Sequence, residues 1–133
     1  MIGLIYAAAG AIRRRLCRGD LGRVGEDMAH RYLRRRGCTV VARNYRARSG
    51  AGEIDLVAWQ GGALVFVEVK TRSSEDHGAP EAAVDLEKRQ AIQRAAREYT
   101  RRSGAEWDQT RFDIVSVVVG RRTRIEWQRD AFR

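Results

Sequence analysis

Two short runs hold the acidic residues whose types and spacing could do chemistry: Gly52-Glu53-Ile54-Asp55-Leu56-Val57 and Val65-Phe66-Val67-Glu68-Val69-Lys70. Gly61-Gly62 between them predicts a two-residue hairpin turn. With that turn, Gln60 pairs with Ala63, Asp55 faces Glu68 and Glu53 faces Lys70. Period-two alternation then sets all four on one sheet face. A three-residue turn would slip the register by one and scatter them over both faces. Directly opposed residues have Cβ atoms about 4.5–5.5 Å apart. Two carboxylates about 5 Å apart repel by roughly 3 kcal/mol at an effective dielectric near 20. Both strands are otherwise rich in Val, Leu, Ile and Phe, as in a sheet covered on both sides. A buried acid pair must share a proton, meet a cation or hold a metal. Carboxylate oxygens are the ligands Mg²⁺ prefers, with water and substrate phosphate filling its other positions. Ion pairs with arginine are the plainer account of Asp55 and Glu68, and for Glu53 they serve equally well.

The cationic partners are unusual in kind. Of 26 Lys+Arg, only Lys70 and Lys88 are lysine, against 17 Asp+Glu and a net charge of +9. Codon bias explains most of the arginine, which makes the two lysines informative. Lys70 lies two residues past Glu68 on the same face, and a lysine can steer a water as the ammonium or, once neutral, deprotonate it, where a guanidinium cannot. Lys88 falls at the centre of the apolar stripe Val84, Ala91, Ile92, Ala95, Tyr99. A charge there must snorkel or reach an acidic partner such as the acid pair. The net charge suits a polyanion partner, and equally a ribosomal or membrane-surface one.

The elements that must position these groups follow from periodicity. Residues 20–36 predict a helix with the stripe Leu21, Val24, Met28, Tyr32, with Asp20 as N-cap and Gly37 as its stop. Glu26 sits at the edge of that stripe, and glycines at 22 and 25 allow another backbone to come close. Strands are predicted at 39–46, 52–59 and 63–71, with a loop through 47–51 that carries Arg48. Pro80 opens a long helix over 81–102, and strands at 110–119 and 123–127 close the chain. The order is αβββαββ, an α/β sandwich on a mixed five-stranded sheet flanked by helices. With 133 residues, one domain over 20–133 and an N-terminal extension over 1–19 are expected.

Other chemistries are poorly served. Cys17 and Cys38 lack CxxC spacing and, with only His30 and His77 beside them, argue against zinc. Two reduced thiols fit a cytoplasmic protein. The apolar stretch 1–11 precedes Arg13-Arg14-Arg15, the reverse of a signal peptide, and no apolar run reaches a membrane span.

Further runs are Gly22-x-x-Gly25-Glu26-Asp27, Ala42-Arg43-Asn44-Tyr45-Arg46, Phe66-Val67-Glu68-Val69-Lys70-Thr71-Arg72, Ala83-Val84-Asp85-x-x-Lys88, Arg111-Phe112-Asp113 and Ala131-Phe132. With Gly52–Val57 they resemble, in order over residues 19–132, the YraN family of small bacterial proteins. That family is related to Holliday junction resolvases within the restriction-endonuclease-like PD-(D/E)XK superfamily. The resemblance implies a nuclease core of Asp55, Glu68 and Lys70, with Ile54 standing where many members have proline. It implies Mg²⁺ or Mn²⁺ on Asp55, Glu68, Glu26 and the Val69 backbone carbonyl, and water activation by Lys70. Glu53 and Lys88 are candidates for site support, and Arg43, Arg46, Arg48 and Arg72 for nucleic-acid contact. The function expected is endonucleolytic hydrolysis of DNA, with branched DNA in view. The alternative is a non-catalytic nucleic-acid-binding module on the same fold. A scaffold without nucleic acid fits the charge least. No membrane span is expected, and a homodimer is kept open.

Overall fold

A computed structural model of the chain describes residues 18–74 and 85–133, with side chains from Asp20 onward. The apolar start, Cys17, His77, Pro80 and the 81–84 turn of the second expected helix lie outside the described residues. The elements are α1 (Arg18–Arg35), β1 (Thr39–Arg46), β2 (Glu53–Gln60), β3 (Ala63–Ser73), α2 (Leu86–Ser103), a single 3-10 turn (Trp107–Gln109), β4 (Thr110–Val119) and β5 (Arg124–Gln128). The order αβββαββ is the expected one.

Local chemistry sets the helix ends. Asp20 lies in the first turn of α1 and not at its N-cap, because the described helix already begins at Arg18. Gly37, at φ +92, closes α1. The Cys38 N–H bonds the Leu33 carbonyl and the Gly37 N–H that of Arg34, a Schellman stop. Helix α2 is capped by Asp85, whose side chain accepts the Lys88 N–H at 2.8 Å. Gly104, at φ 75, ends it.

The sheet runs β1-β2-β3-β4-β5. β3 and β4 are parallel and every other pair is antiparallel, so α2 is the crossover that a parallel pair requires. One face carries α1, whose Ala29 and Leu33 pack on Leu56, Val65, Val67, Val115 and Val117. The other carries α2, whose Ile92, Ala95 and Ala96 pack on Val57, Phe66, Phe112 and Ile114. Two glycines bring the layers together. A Cβ at Gly25 would lie 1.8 Å from the Thr71 hydroxyl of β3, and one at Gly52 would lie 2.6 Å from the Ala91 carbonyl of α2. Gly22, expected to serve the same purpose, has nothing within 4 Å.

The strand pair β1/β2 departs from simple alternation. Ile54 and Val57, three residues apart, belong to the same core, while Leu56 and Ala58 belong to the opposite one. Register pairs Arg43 with Leu56 and Tyr45 with Ile54, and Asn44 between them stands at φ 50. A left-handed residue in a strand rotates the side chains beyond it, and Asn tolerates that conformation. The break falls at the level of Asp55.

The far edge is tied by Asp113, which is fully buried. Its carboxylate accepts from Arg111 Nε and Nη2, each at 2.9 Å, from Trp127 Nε1 at 2.8 Å and from the Asp130 N–H at 2.9 Å. Arg111 also reaches Gln60 at 2.7 Å. A buried carboxylate met by an Arg fork and two further donors is fully compensated.

Candidate functional site

The two-residue turn forms as expected, with Gly61 at φ 58 and pairs from Gln60↔Ala63 to Leu56↔Val67. Continuing that register by one residue brings Asp55 to Glu68. The ladder itself stops at Leu56, where the alternation break turns β2 away, and the Asp55 side chain takes over. Its Oδ2 accepts the Val69 N–H at 2.8 Å, so a side chain fills a hydrogen bond that the strand partner leaves open.

Glu68 is 5 % exposed. Burial, and then the adjacent Glu68 carboxylate, push the Asp55 carboxyl up from 3.8 to about 8, against the opposing pull of the Val69 N–H. With its carboxyl raised that far, Asp55 keeps its proton near neutrality beside Glu68. The strain foreseen for opposed acids is therefore present in the fold.

Lys88 reaches the pair. Its Nζ lies 2.5 Å from Glu68 Oε1, held there by the first turn of α2 through the Asp85 cap. Burial pulls the Lys88 ammonium down, but the hydrogen bond and charge of Glu68 prevail and its pKa is raised. Snorkelling into bulk solvent is thus not what this lysine does. Lys70, two residues beyond Glu68 on β3, stands opposite Ser116 of β4 and lines an open groove.

Other candidates fall outside the pair. Glu26 is close enough for its charge to raise Asp55 slightly, yet its carboxylate lies 3.7 Å from Arg43 Nη2. Arg43 is bound more tightly to Asp27, at 2.7 Å. Glu53, expected opposite Lys70, sits beyond the alternation break. It pairs with Arg46 at 3.5 Å and is exposed, the ion pair that the sequence allowed it. The loop carrying Arg48 is pinned to α2 by Glu98. That carboxylate accepts from the Arg48 and Ser49 N–H groups at 2.9 and 3.3 Å and from the Tyr45 hydroxyl at 2.5 Å. Of the four arginines expected to meet nucleic acid, Arg72 alone lines the groove beside Lys70.

The donor set admits a hard divalent ion. Among the described residues no group of three or more His, Cys, Asp and Glu side chains is gathered tightly enough to ligate one. Mg²⁺ needs only one or two carboxylates, with water and substrate phosphate completing its shell. Asp55 and Glu68 offer that number, with oxygen donors only and a mutual repulsion that a cation relieves. The residues fit.

Sequence reasoning overlooked the groove residues Ser116 and Arg124, and it quoted Asp113 within the Arg111-Phe112-Asp113 run without a role. The signal for Asp113 was Arg111-x-Asp113, two residues apart on one strand face. For Arg124 it was the alternation of Arg124, Glu126 and Gln128 along β5.

The sequence model of the uncharacterised protein family UPF0102 matches residues 25–117. A UPF0102 protein of Solibacter usitatus (strain Ellin6076) is 61 % identical over 132 residues, covering 99 % of this chain and 100 % of the relative. One from Rhodococcus jostii (strain RHA1) is 46 % identical over 114 residues, 84 % and 95 % of the two chains. One from Koribacter versatilis (strain Ellin345) is 49 % identical over 100 residues, 75 % and 69 %. Among the described residues, no helix is long and apolar enough to cross a membrane.

Proposed function

The chain belongs to the uncharacterised protein family UPF0102, and from that premise we propose that it is a metal-dependent endonuclease of the restriction-endonuclease-like type. Its substrate is DNA, with branched, Holliday-junction-type DNA among the forms to test. The observation that carries this reading is the Asp55–Glu68 pair, Glu68 buried and Asp55 half-buried, with Lys70 two residues along the same strand. A fold keeps two carboxyls in such repulsion only where something uses them, since an apolar pair would be more stable there.

Asp55 and Glu68 would hold Mg²⁺ or Mn²⁺, with the Val69 carbonyl as a further oxygen. A bound ion of this kind polarises a phosphoryl oxygen and acidifies water. The chain's own groups do the rest. The Val69 N–H fixes the Asp55 carboxylate, and Lys88 fixes that of Glu68. Lys70 would orient the attacking water as its oxygen bonds to phosphorus, its proton passes to solvent and the ester oxygen leaves. Glu26, which the YraN resemblance places among the ligands, would have to leave Arg43 to join them.

A second reading, the non-catalytic nucleic-acid-binding module, is favoured by one observation. The Lys88 ammonium already supplies a positive charge to Glu68. The two readings part on labelled linear, flapped and four-way DNA, with and without Mn²⁺. Metal-dependent cleavage that disappears in Glu68→Gln supports the enzyme. Tight binding with no cleavage of any substrate replaces it with the binding module.

A further inference from the structure

Beside the acid pair, the sheet face that α2 covers over β2 and β3 opens into a groove of about 730 Å³ across β3, β4 and β5. Its polar lining includes Lys70, Arg72, Ser116, Arg124, Glu126 and Gln128. Strand register arranges these in rows: Glu68–Ile114–Gln128, then Lys70–Ser116–Glu126, then Arg72–Val118–Arg124. Successive rows are about 6.6 Å apart along the strands, and β3 is about 10 Å from β5. The groove's first row, Ile114 and Gln128, is level with Glu68, which does not itself line it, and the groove runs on from there past three cations and one carboxylate.

The cations are disposed for binding. Among the described residues, Arg72 and Arg124 have no carboxylate at ion-pair distance, whereas Arg43, Arg46 and Arg111 do. Both are exposed. Lys70, Arg72 and Arg124 spread positive charge along the groove instead of focusing it on one point, which matches a polymer of phosphates better than a single anion. Guanidinium forks suit phosphate oxygens, and the apolar floor of Ile114 and Val118 leaves the polar contacts to the sides.

We propose that this groove seats the DNA strand on one side of the scissile phosphate, with Arg72 and Arg124 as its phosphate-binding pair. The proposal rests on the nuclease reading and adds to it a direction: the strand runs from the side of the acid pair along β3 towards Arg72, and Glu126, at the β5 end of the Lys70 row, repels it towards β3. The arginines on the first strand, Arg43 and Arg46, are spent on Asp27 and Glu53 and contribute little.

The test is fluorescence anisotropy of a fluorescein-labelled duplex in EDTA, where binding is read without metal or cleavage. The double variant Arg72→Gln/Arg124→Gln is expected to bind at least tenfold more weakly at about 0.1 M salt. Its slope of log affinity against log salt should fall by nearly two, about 0.9 per lost phosphate contact. The control Arg34→Gln/Arg35→Gln removes the same charge from the exposed last turn of α1 and is expected to lose less than threefold. Glu126→Gln is expected to bind tighter than the parent. Equal losses in the two double variants would reduce the effect to net charge and overturn the proposal, as would a parent that does not bind. If the parent cleaves DNA and Arg72→Gln/Arg124→Gln binds unchanged, the groove falls and the nuclease reading stands. If the arginine pair governs binding while nothing is cleaved, the groove stands and the nuclease reading falls.

Discussion

Replacing Asp55 by Asn should stabilise this protein, and the gain should grow with pH. The unfolded aspartate ionises near its ordinary value, whereas the folded chain holds the proton to about 8. Between those two pH values the folded state binds more protons, so its stability falls as pH rises from about 4 to 8 and levels off above that. The rise from 3.8 to about 8, at about 1.4 kcal/mol per pH unit, sets a ceiling of about 6 kcal/mol on the charge strain. Water penetration and relaxation around the pair reduce what unfolding would register, to roughly 1–3 kcal/mol. Asparagine removes the charge yet keeps an oxygen for the Val69 N–H and gains a donor for Glu68. Urea unfolding in EDTA at pH 5, 6.5 and 8 reads the effect. Asp55→Asn should be within about 0.5 kcal/mol of the parent at pH 5 and about 1–3 kcal/mol more stable at pH 8. A variant less stable than the parent at both ends of that range would mean that the Asp55 charge does not strain the fold. So would a parent whose stability does not fall between them.

Other outcomes follow from the same geometry. Lys88→Met should keep the far-UV circular dichroism of the parent but lose about 1–2 kcal/mol in urea, because it leaves the buried Glu68 without its cation. Mn²⁺ should then raise the melting temperature of Lys88→Met more than that of the parent, which differential scanning fluorimetry measures. Gly25→Ala should cost roughly 1–3 kcal/mol, since its Cβ would strike Thr71. Gly22→Ala, which meets open space, should gain about 0.5–1 kcal/mol from helix propensity; thermal unfolding of the two variants would show opposite signs.

Much of the sheet was legible from short signals. Gly61-Gly62 set the hairpin register, and through it the meeting of Asp55 with Glu68. Lys88, out of place in an apolar stripe, pointed to a buried acid, and Glu68 is that acid. Period-two reasoning failed where a single residue broke it. Asn44 in a left-handed conformation, opposite Asp55, turns the strands so that Glu53 leaves the face it was assigned to. Only the asparagine itself hinted at this, and many strand asparagines stay extended. Helix α2 was drawn from Glu81 because Pro80 suits a first turn, whereas Asp85 caps the described helix. The groove was not legible, because it depends on strand order and on how far α2 reaches across the sheet, neither of which a local pattern encodes. The role of the buried Asp113 was missed for a similar reason: its partners Trp127 and Asp130 are distant in sequence and converge only through β4–β5 pairing.

The proposed hydrolysis of phosphodiesters by the acid pair and Lys70 stands or falls on Lys70→Ala. Cleavage of labelled linear, flapped and four-way DNA would be timed in Mn²⁺ and Mg²⁺, with anisotropy of the same substrates measured in parallel. The parent is expected to cleave with metal, and Lys70→Ala to be slower by roughly 10²- to 10⁴-fold, the loss expected when proton transfer is unaided. Affinity should change by no more than one phosphate contact, with a nearly parallel salt dependence. A parent that binds DNA but cleaves none of these substrates, or a Lys70→Ala variant that cleaves as fast as the parent, would contradict the proposed hydrolysis.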